Sequence, residues 1–324
     1  MNETARIIPW KDGTAVCLKA GGYEALLAPQ LGCNCFSLVH EATGAHLLRT
    51  PESLQTLKEN PNVYGTPLLF PPNRIKDGTY TYAGYTYHLP INENHGHHTH
   101  GFISSTPFEV ISLTAEEGSA RAVFRYVSTR EQPYLKEFPH EFTIEVTDTL
   151  DASGLTQRVR ITNDGERKMP VGVGFHTTMN APFLPEGREE DVRLILTTRH
   201  AFPYDERIIP TGEVLSDDPL LRKLMQGGAT PCEGPISIHL DQTGGKGYLR
   251  DVATGWQVEY TVDPQFKFWM LWNMDAKHRF MCPEPQTWMI DAPNSPLPPE
   301  ESGLRGLDKG ESMVLENRLA LTKS

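Results

Sequence analysis

Apolar and polar side chains alternate along many short segments of this chain, which is the pattern of β-strands with one face buried and one face exposed to water. The Tyr-rich stretch 80–89 around Ala83-Gly84 also predicts a hairpin. The segment 266–272 is apolar at nearly every position and predicts a central strand covered on both faces. The clearest alternating segments are 142–147, 155–161, 236–240 and 256–262.

Helical patterns are sparse. Residues 217–227 combine an Asp cap, a Pro in the first turn, apolar residues at helical spacing and a terminal Gly, and they predict the best helix. A shorter helix is expected near Ser53 to Lys58. Many short strands separated by Gly- and Pro-rich turns indicate an all-β fold, a large antiparallel β-sandwich with few short helices. We find no linker or internal repeat, so we expect one domain over residues 1–324.

Composition narrows the possible partners. The 30 Lys and Arg residues face 41 Asp and Glu residues, a net charge of -11, so nucleic acid is not an expected partner. The five scattered cysteines argue for a reducing compartment, and Cys33 and Cys35 are read as structural thiols. The first ten residues lack a signal-peptide pattern, and no apolar run approaches the length of a membrane span. We therefore expect a cytoplasmic protein without a membrane partner.

The segment 282–288, Cys-Pro-Glu-Pro-Gln-Thr-Trp, places Glu284 between two prolines. Each proline ring fixes its own φ and restricts the residue before it, so the direction of this acid is nearly fixed. Glu284 follows the predicted central strand, so we expect it beyond that strand's end. The segment is either one wall of a polar pocket or a rigid loop whose carboxylate caps a backbone N–H.

Three further sites carry candidate chemistry. Arg74 follows Phe-Pro-Pro-Asn and offers a planar fork of donors for a carboxylate or for vicinal sugar hydroxyls, although a surface ion pair would use it equally well. His176 ends the small-residue strand 171–175, where a structural imidazole is the alternative to a catalyst.

The third site is a loop with four histidines, namely His95, His97, His98 and His100. Such density suggests metal binding, but no acid at a suitable spacing completes a ligand set. The alternative is a solvated loop in which only His100 points inward. The chain shows no nucleophile in a recognisable setting and no phosphate-binding glycine loop, so the inventory suits proton transfer on a polar, uncharged substrate.

These segments resemble the aldose 1-epimerase (galactose mutarotase-like) family in order and spacing. The resemblance runs from about residue 20 to the end, and it is most specific around Glu284. The matching residues are Asn73-Arg74-Ile75 with Gly78 and Gly84, then Thr99-His100-Gly101, Gly174-Phe175-His176, Glu284-Pro-Gln-Thr and Ala292-Pro-Asn294. The resemblance implies a galactose mutarotase-like supersandwich and interconversion of sugar anomers without a cofactor or a metal.

Carried over position by position, the resemblance makes Glu284 the general base and His176 the general acid. It makes Arg74, His100, Asn73 and Gln286 substrate-binding residues. The family's sugar-binding Asp has no clear counterpart, and Asp241 is the best candidate. Two segments depart from the family pattern: Phe102 stands where a second glycine is usual, and residues 177–179 are Thr-Thr-Met where Pro-Tyr-Phe is usual.

The resulting hypothesis is a mutarotase for a free aldohexose, acting as a monomer or homodimer on a small-molecule sugar. One alternative is a hexose-6-phosphate mutarotase, which should need a cluster of basic side chains at the pocket mouth. A catalytically silent sugar-binding protein on the same fold and a His-rich metalloprotein are the others.

Overall fold

A computed structural model describes residues 3–128 and 133–324 of the chain. The described residues form short α-helices and many antiparallel strands. The helices are α1 (Leu54–Glu59), α2 (Pro219–Gln226) and α3 (Pro299–Ser302). The strands of the first half are β1 (Thr4–Trp10), β2 (Gly13–Ala20), β3 (Tyr23–Ala28), β4 (Asn34–His40), β5 (Ala45–His46), β6 (Leu68–Leu69), β7 (Arg74–Ile75), β8 (Thr79–Tyr82), β9 (Tyr85–His88), β10 (His98–Thr99), β11 (Glu109–Glu116), β12 (Ser119–Val127), β13 (Phe142–Asp151) and β14 (Gly154–Asn163). Those of the second half are β15 (Met169–Val171), β16 (Gly174–Phe175), β17 (Met179–Asn180), β18 (Val192–Leu196), β19 (Ala201–Phe202), β20 (Ser237–Asp241), β21 (Lys246–Asp251), β22 (Trp256–Val262), β23 (Phe268–Trp272), β24 (Phe280–Gln286), β25 (Arg305–Leu307) and β26 (Ser312–Lys323).

Three sheets make up most of the fold. The largest has eight strands in the order β11-β12-β13-β14-β26-β22-β21-β18. A second sheet follows the order β19-β20-β23-β24-β16-β6, with β17 also paired to β24, and the N-terminal sheet runs β1 to β5. The all-β sandwich expectation is confirmed, and the alternation that predicted it is visible in β13, where every second residue is buried.

Side chains from all three sheets meet in one hydrophobic cluster that includes Val16, Tyr260 and Trp269. The rings of Tyr260 on β22 and Trp269 on β23 lie 5.9 Å apart, so the second sheet packs against the inner face of the largest one. The central-strand prediction for 266–272 is confirmed in β23, whose first four residues are all buried. Cys33 and Cys35 are buried free thiols.

The predicted helices and hairpin form with the expected local chemistry. Ser53 caps α1 by accepting the Thr56 N–H at 3.0 Å, and Asp218 caps α2 by accepting the N–H groups of Leu220 and Leu221. Strands β8 and β9 pair around Ala83 and Gly84. Among the described residues, none of the helices is both long and apolar enough to cross a membrane.

Candidate active site

Glu284 lies inside strand β24, so the expectation that it lies beyond the end of a core strand is wrong. The alternative of a rigid loop is wrong for the same reason. Strand β24 pairs with β23 along Pro283, Glu284 and Pro285. On its other edge it pairs only at Gln286 with β16 and at its first two residues with β17. Proline has no N–H to donate, so it is tolerated inside a sheet where one edge of the strand is left unpaired. The prolines therefore coincide with the gap that leaves room for a side chain from the neighbouring segment.

His176 fills that gap. It lies between β16 and β17, where its backbone N–H donates to the carbonyl of Pro67 at 3.1 Å, on the side of β6 and away from β24. Its Nε2 lies 3.2 Å from Oε1 of Glu284, and both side chains are buried, at 5% and 2% exposure. Folding thus brings together the two residues to which the family resemblance assigns acid and base roles.

Arg74 and His100 approach the same point from a short two-stranded ladder, in which Arg74 on β7 pairs with Thr99 on β10. The N–H of His100 donates to the carbonyl of Asn73 at 3.0 Å, and both residues have positive φ, 60° and 55°. The chain then turns at Gly101, where an added Cβ would lie 1.9 Å from the carbonyl oxygen of Phe70. The close turn sets the His100 ring perpendicular to that of His176, with centroids 5.2 Å apart.

Asn73 and Gln286 connect the guanidinium to the carboxylate. Asn73 Oδ1 accepts from Arg74 at 3.4 Å, and its Nδ2 donates to Gln286 Oε1 at 3.4 Å. Gln286 Nε2 in turn donates to Glu284 Oε2 at 3.4 Å. Glu93 Oε2 lies 3.9 Å from Arg74 Nε, which has no hydrogen-bond partner among the described residues. These contacts are long, but they fix both charged groups in a shared orientation.

The side chains of Arg74, His100, His176 and Glu284 line a cleft of about 220 Å³. Among the residues that the structure describes, Arg74 and Glu284 are the only Lys, Arg, Asp or Glu side chains of this lining. The Trp272 ring lies edge-on to His176 at 5.7 Å and supplies a flat apolar wall. The complete lining is Asn62, Asn73, Arg74, His100, His176, Ile208, Ser237, Met270, Trp272 and Glu284.

Sequence patterns missed five of these residues, namely Asn62, Ile208, Ser237, Met270 and Trp272. Met270 and Trp272 belong to the segment that the sequence predicted as a central strand. Because they are alternate residues of that strand, their side chains point to the same face, and this could have identified them together. In the β23–β24 register Met270 lies opposite Glu284. Once those two strands are paired, alternate residues of β23 must share the face of Glu284. For Ser237, Asn62 and Ile208 no local pattern distinguishes them from ordinary loop or strand-end residues.

Burial changes the titration of the central groups. It raises the pKa of Glu284 well above its ordinary value, opposed by the Arg74 charge and by the hydrogen bond from Gln286. Burial also lowers the pKa of His176 to about 3. Burial lowers the pKa of His100 well below its ordinary value, and the His176 and Arg74 charges lower it as well. Solvated Glu and His side chains have ordinary pKa values of ~4.3 and ~6.5. Desolvation, which penalises each charged form, moves them in opposite directions.

Asp241 does not reach the cleft. It ends strand β20, four residues after Ser237, which at ~3.3 Å per residue puts it ~13 Å farther along the sheet. Its carboxylate accepts the N–H groups of Arg199 and His200 and the hydroxyl of Thr198 at 2.7 to 2.8 Å. These bonds satisfy the carboxylate locally, so Asp241 organises the turn before β19. Ser237 occupies the part of this strand that faces the cleft.

The histidine loop is less solvated than expected. His97 and His98 are both buried, and each ring forms a hydrogen bond with the backbone. His97 Nδ1 accepts the N–H of Asp77, and His98 Nδ1 lies 2.8 Å from the carbonyl oxygen of Pro90. The expectation that His100 alone points inward is therefore wrong. Across residues 3–128 and 133–324, no three His, Cys, Asp or Glu side chains are arranged to hold a metal ion.

The sequence is similar to parts of several curated proteins. The chain is 31% identical to the uncharacterized protein YihR of Escherichia coli strain K12 over 204 residues, 61% of this chain and 60% of that protein. The match therefore spans less than two thirds of YihR. The chain is also 26% identical to human galactose mutarotase over 259 residues, 70% of this chain and 71% of that enzyme.

Solved structures of similar fold superpose on the whole length of the chain. A galactose mutarotase-like protein from Clostridium acetobutylicum has a TM-score of 0.96 at 29% identity, covering 100% of this chain and 99% of that one. Galactose 1-epimerase from Lactobacillus acidophilus NCFM has a TM-score of 0.75 at 13% identity over 100% and 99% of the two chains, which is a likeness of fold. The family described as aldose 1-epimerase matches residues 14–319. The chain thus belongs to the aldose 1-epimerase family.

Proposed function

We propose that the protein interconverts the α and β anomers of a free aldohexose by acid/base ring opening and reclosure. The observation that carries the proposal is the 3.2 Å contact between His176 Nε2 and Glu284 Oε1, both of which line the cleft. Two proton-transfer groups this close can serve two oxygens of one small molecule. A hemiacetal carries its ring oxygen and its anomeric hydroxyl on the same carbon.

Ring opening needs a base at the anomeric hydroxyl and an acid at the ring oxygen. Glu284 takes the hydroxyl proton while His176 donates to the ring oxygen, which breaks the C1–O5 bond and leaves an open-chain aldehyde. Rotation about C1–C2 presents the other carbonyl face, and the two groups exchange roles to close the ring. Each positioned proton transfer is typically worth ~10² to 10⁴ in rate.

The catalytic pair needs one proton in total. Burial favours the arrangement in which Glu284 holds the proton and His176 is neutral, whereas the roles above require the proton on His176. The Arg74 charge lowers the pKa of Glu284 and so favours the carboxylate. The two arrangements differ only by transfer of this proton across the 3.2 Å contact, and the sugar's hydroxyls add hydrogen bonds to the charged form.

Arg74 and His100 orient the sugar, and Asn73 and Gln286 hold Glu284 in position. An uncharged sugar fits this lining better than a sugar phosphate. Arg74 is the only Lys or Arg of the lining in the described part of the chain, and Glu93 lies 3.9 Å from its guanidinium. A phosphate dianion usually requires several charged donors. The lining therefore supports a free aldohexose over its 6-phosphate.

The test is direct measurement of anomer exchange. Freshly dissolved α-glucose, α-galactose and their 6-phosphates are followed by polarimetry and by exchange NMR, with and without the protein. We expect the protein to accelerate equilibration of a free hexose more than that of its 6-phosphate. Saturable sugar binding with no acceleration over the spontaneous rate would contradict catalysis and indicate a silent sugar-binding protein instead.

A further inference from the structure

A short hairpin over residues 204–210, called the flap below, covers one side of the cleft. Tyr204 and Pro210 form its base as an isolated antiparallel bridge. Across the hairpin, the Asp205 N–H donates to the Ile209 carbonyl and the Ile208 N–H donates to the Asp205 carbonyl, each at 2.9 Å. The side chain of Ile208, near the tip, lines the cleft.

Ile208, whose side chain lines the cleft, has an unfavourable backbone conformation. Its φ is 62°, in the left-handed region where a β-branched side chain is a steric outlier. Glycine takes such a φ without penalty, and Gly212 does so four residues later with open space around it. Asp205 Oδ1 accepts the N–H groups of Arg207 and Ile209 at 2.9 and 3.0 Å, which fixes the turn on both sides of Ile208. Strain kept in place by surrounding bonds at the wall of a cleft points to a functional constraint.

The flap rests on the wall that supports the catalytic base, Glu284. Ile209 is buried in a small cluster with Met270 and Ile290. Met270 lines the cleft and lies opposite Glu284 in the β23–β24 register. Tyr204 donates its hydroxyl to the carbonyl of Ser237, another residue of the lining. The flap thus contacts the cleft wall at its base and through Ile209.

Arg207 forms a latch between the flap and the two segments that carry Arg74 and His100. Its Nη2 lies 2.5 Å from Asp77 Oδ1, and its Nε donates to the carbonyl of His95 at 3.2 Å. Asp77 lies three residues after Arg74, and His95 belongs to the loop that carries His100. The side chains of Arg207 and Asp77 are 37% and 58% exposed, so solvent and salt weaken the ion pair. Added salt should therefore weaken this contact measurably.

We propose that Ile208 is a specificity-determining residue of the cleft and that the Arg207 latch holds it against the bound sugar. The inference rests on the proposed function for its substrate class. An aldohexose ring presents C–H groups as well as hydroxyls, and Ile208 packs against such an apolar edge. A hydroxyl placed at that edge would be buried without a hydrogen-bond partner, which disfavours that epimer.

The experiment compares Ile208→Ala, Ile208→Val and Arg207→Gln with wild type, and uses Arg125→Gln as the matched control. Arg125 forms an exposed ion pair with Glu145 on the eight-stranded sheet, outside the cleft lining. Steady-state mutarotation gives kcat and KM for glucose, galactose and mannose. Titration calorimetry with the same sugars gives Kd independently of turnover, and thermal unfolding verifies that each variant is folded.

We expect Ile208→Ala to raise KM and Kd about tenfold while changing kcat less than about twofold, and to bring the three hexoses closer in kcat/KM. Ile208→Val should restore most of the selectivity. Arg207→Gln should raise KM about threefold at low salt, and roughly 0.5 M NaCl should raise the wild-type KM toward the same value without affecting that variant.

Wild-type activity with unchanged KM, Kd and selectivity in both Ile208 variants would overturn the inference while leaving the proposed function intact. So would an equal loss in Arg125→Gln. A wild-type protein that binds hexoses without turnover would refute the proposed function, and the Kd values of the same variants would still decide the role of Ile208.

Discussion

Glu284→Gln is expected to remove catalysis and, in the same protein, to stabilise the fold. The amide preserves the shape of the side chain and one oxygen acceptor, but it cannot take a proton from the anomeric hydroxyl. Loss of a positioned general base typically costs ~10² to 10⁴ in rate. That range corresponds to ~2.7 to 5.4 kcal/mol of transition-state stabilisation at ~1.36 kcal/mol per tenfold.

The stability gain follows from the cost of burying the carboxylate. Burial raises the pKa of Glu284 well above its ordinary value, so the folded state holds the proton more tightly than the unfolded state. A raised carboxyl pKa contributes stability at low pH that is lost as pH rises through the folded value. Above that value the charged group destabilises the fold, and an amide removes this cost.

Asp148→Asn is the matched control, because Asp148 is buried on β13 and lies outside the cleft lining. Its carboxylate accepts Gln157 Nε2 at 2.9 Å, and burial raises its pKa from 3.8 to about 7. Linkage gives a destabilisation of roughly 2 kcal/mol at pH 5 and roughly 4 kcal/mol at pH 8 from this rise. The variant should therefore lose roughly 2 kcal/mol of the wild-type pH dependence while keeping full activity.

Urea unfolding at pH 5 and pH 8 measures the free energy of unfolding of the wild type, Glu284→Gln and Asp148→Asn. Polarimetry measures the mutarotation rate of the same three proteins. We expect Glu284→Gln to be inactive and more stable at pH 8, and Asp148→Asn to be active and more stable at pH 8. A Glu284→Gln variant within tenfold of wild-type activity would refute the assigned base. A variant that is inactive and also less stable would show that the loss came from structural damage.

Three further outcomes are expected. His176→Ala should lower kcat by ~10² to 10⁴, whereas His100→Ala should raise KM more than it lowers kcat, because an orienting donor also acts on the bound ground state; equal effects on both parameters in the two variants would contradict the separate roles. The value of kcat/KM, corrected for the spontaneous rate, should stay level from pH 7 to pH 5. Burial lowers the pKa of His176, so the pair of Glu284 and His176 gains its second proton only well below pH 6.5. A halving of kcat/KM near pH 6.5 would contradict this reasoning. Extensive treatment with a chelator should leave the rate unchanged, because Glu284 and His176 supply both proton transfers; a loss restored by one specific divalent ion would favour the metalloprotein alternative.

The sequence alone determined the all-β class, the helices capped by Ser53 and Asp218, and the identity of the central catalytic candidates. Those features depend on local chemistry. Period-two alternation follows from strand geometry, capping residues satisfy N–H groups within one turn, and the motifs around Glu284 and His176 carry the family resemblance directly.

Only the tertiary structure decided which polar residues share the cleft. The β23–β24 register brought Met270 beside Glu284, and the unpaired edge of β24 admitted His176. The flap carried Ile208 to the cleft, although it lies more than thirty residues from any of the catalytic candidates. Asp241 turned away because backbone N–H groups of a distant turn satisfied its carboxylate first. Strand pairing between distant segments sets these contacts, as it sets the burial that shifts both catalytic pKa values, and local sequence patterns do not encode that pairing.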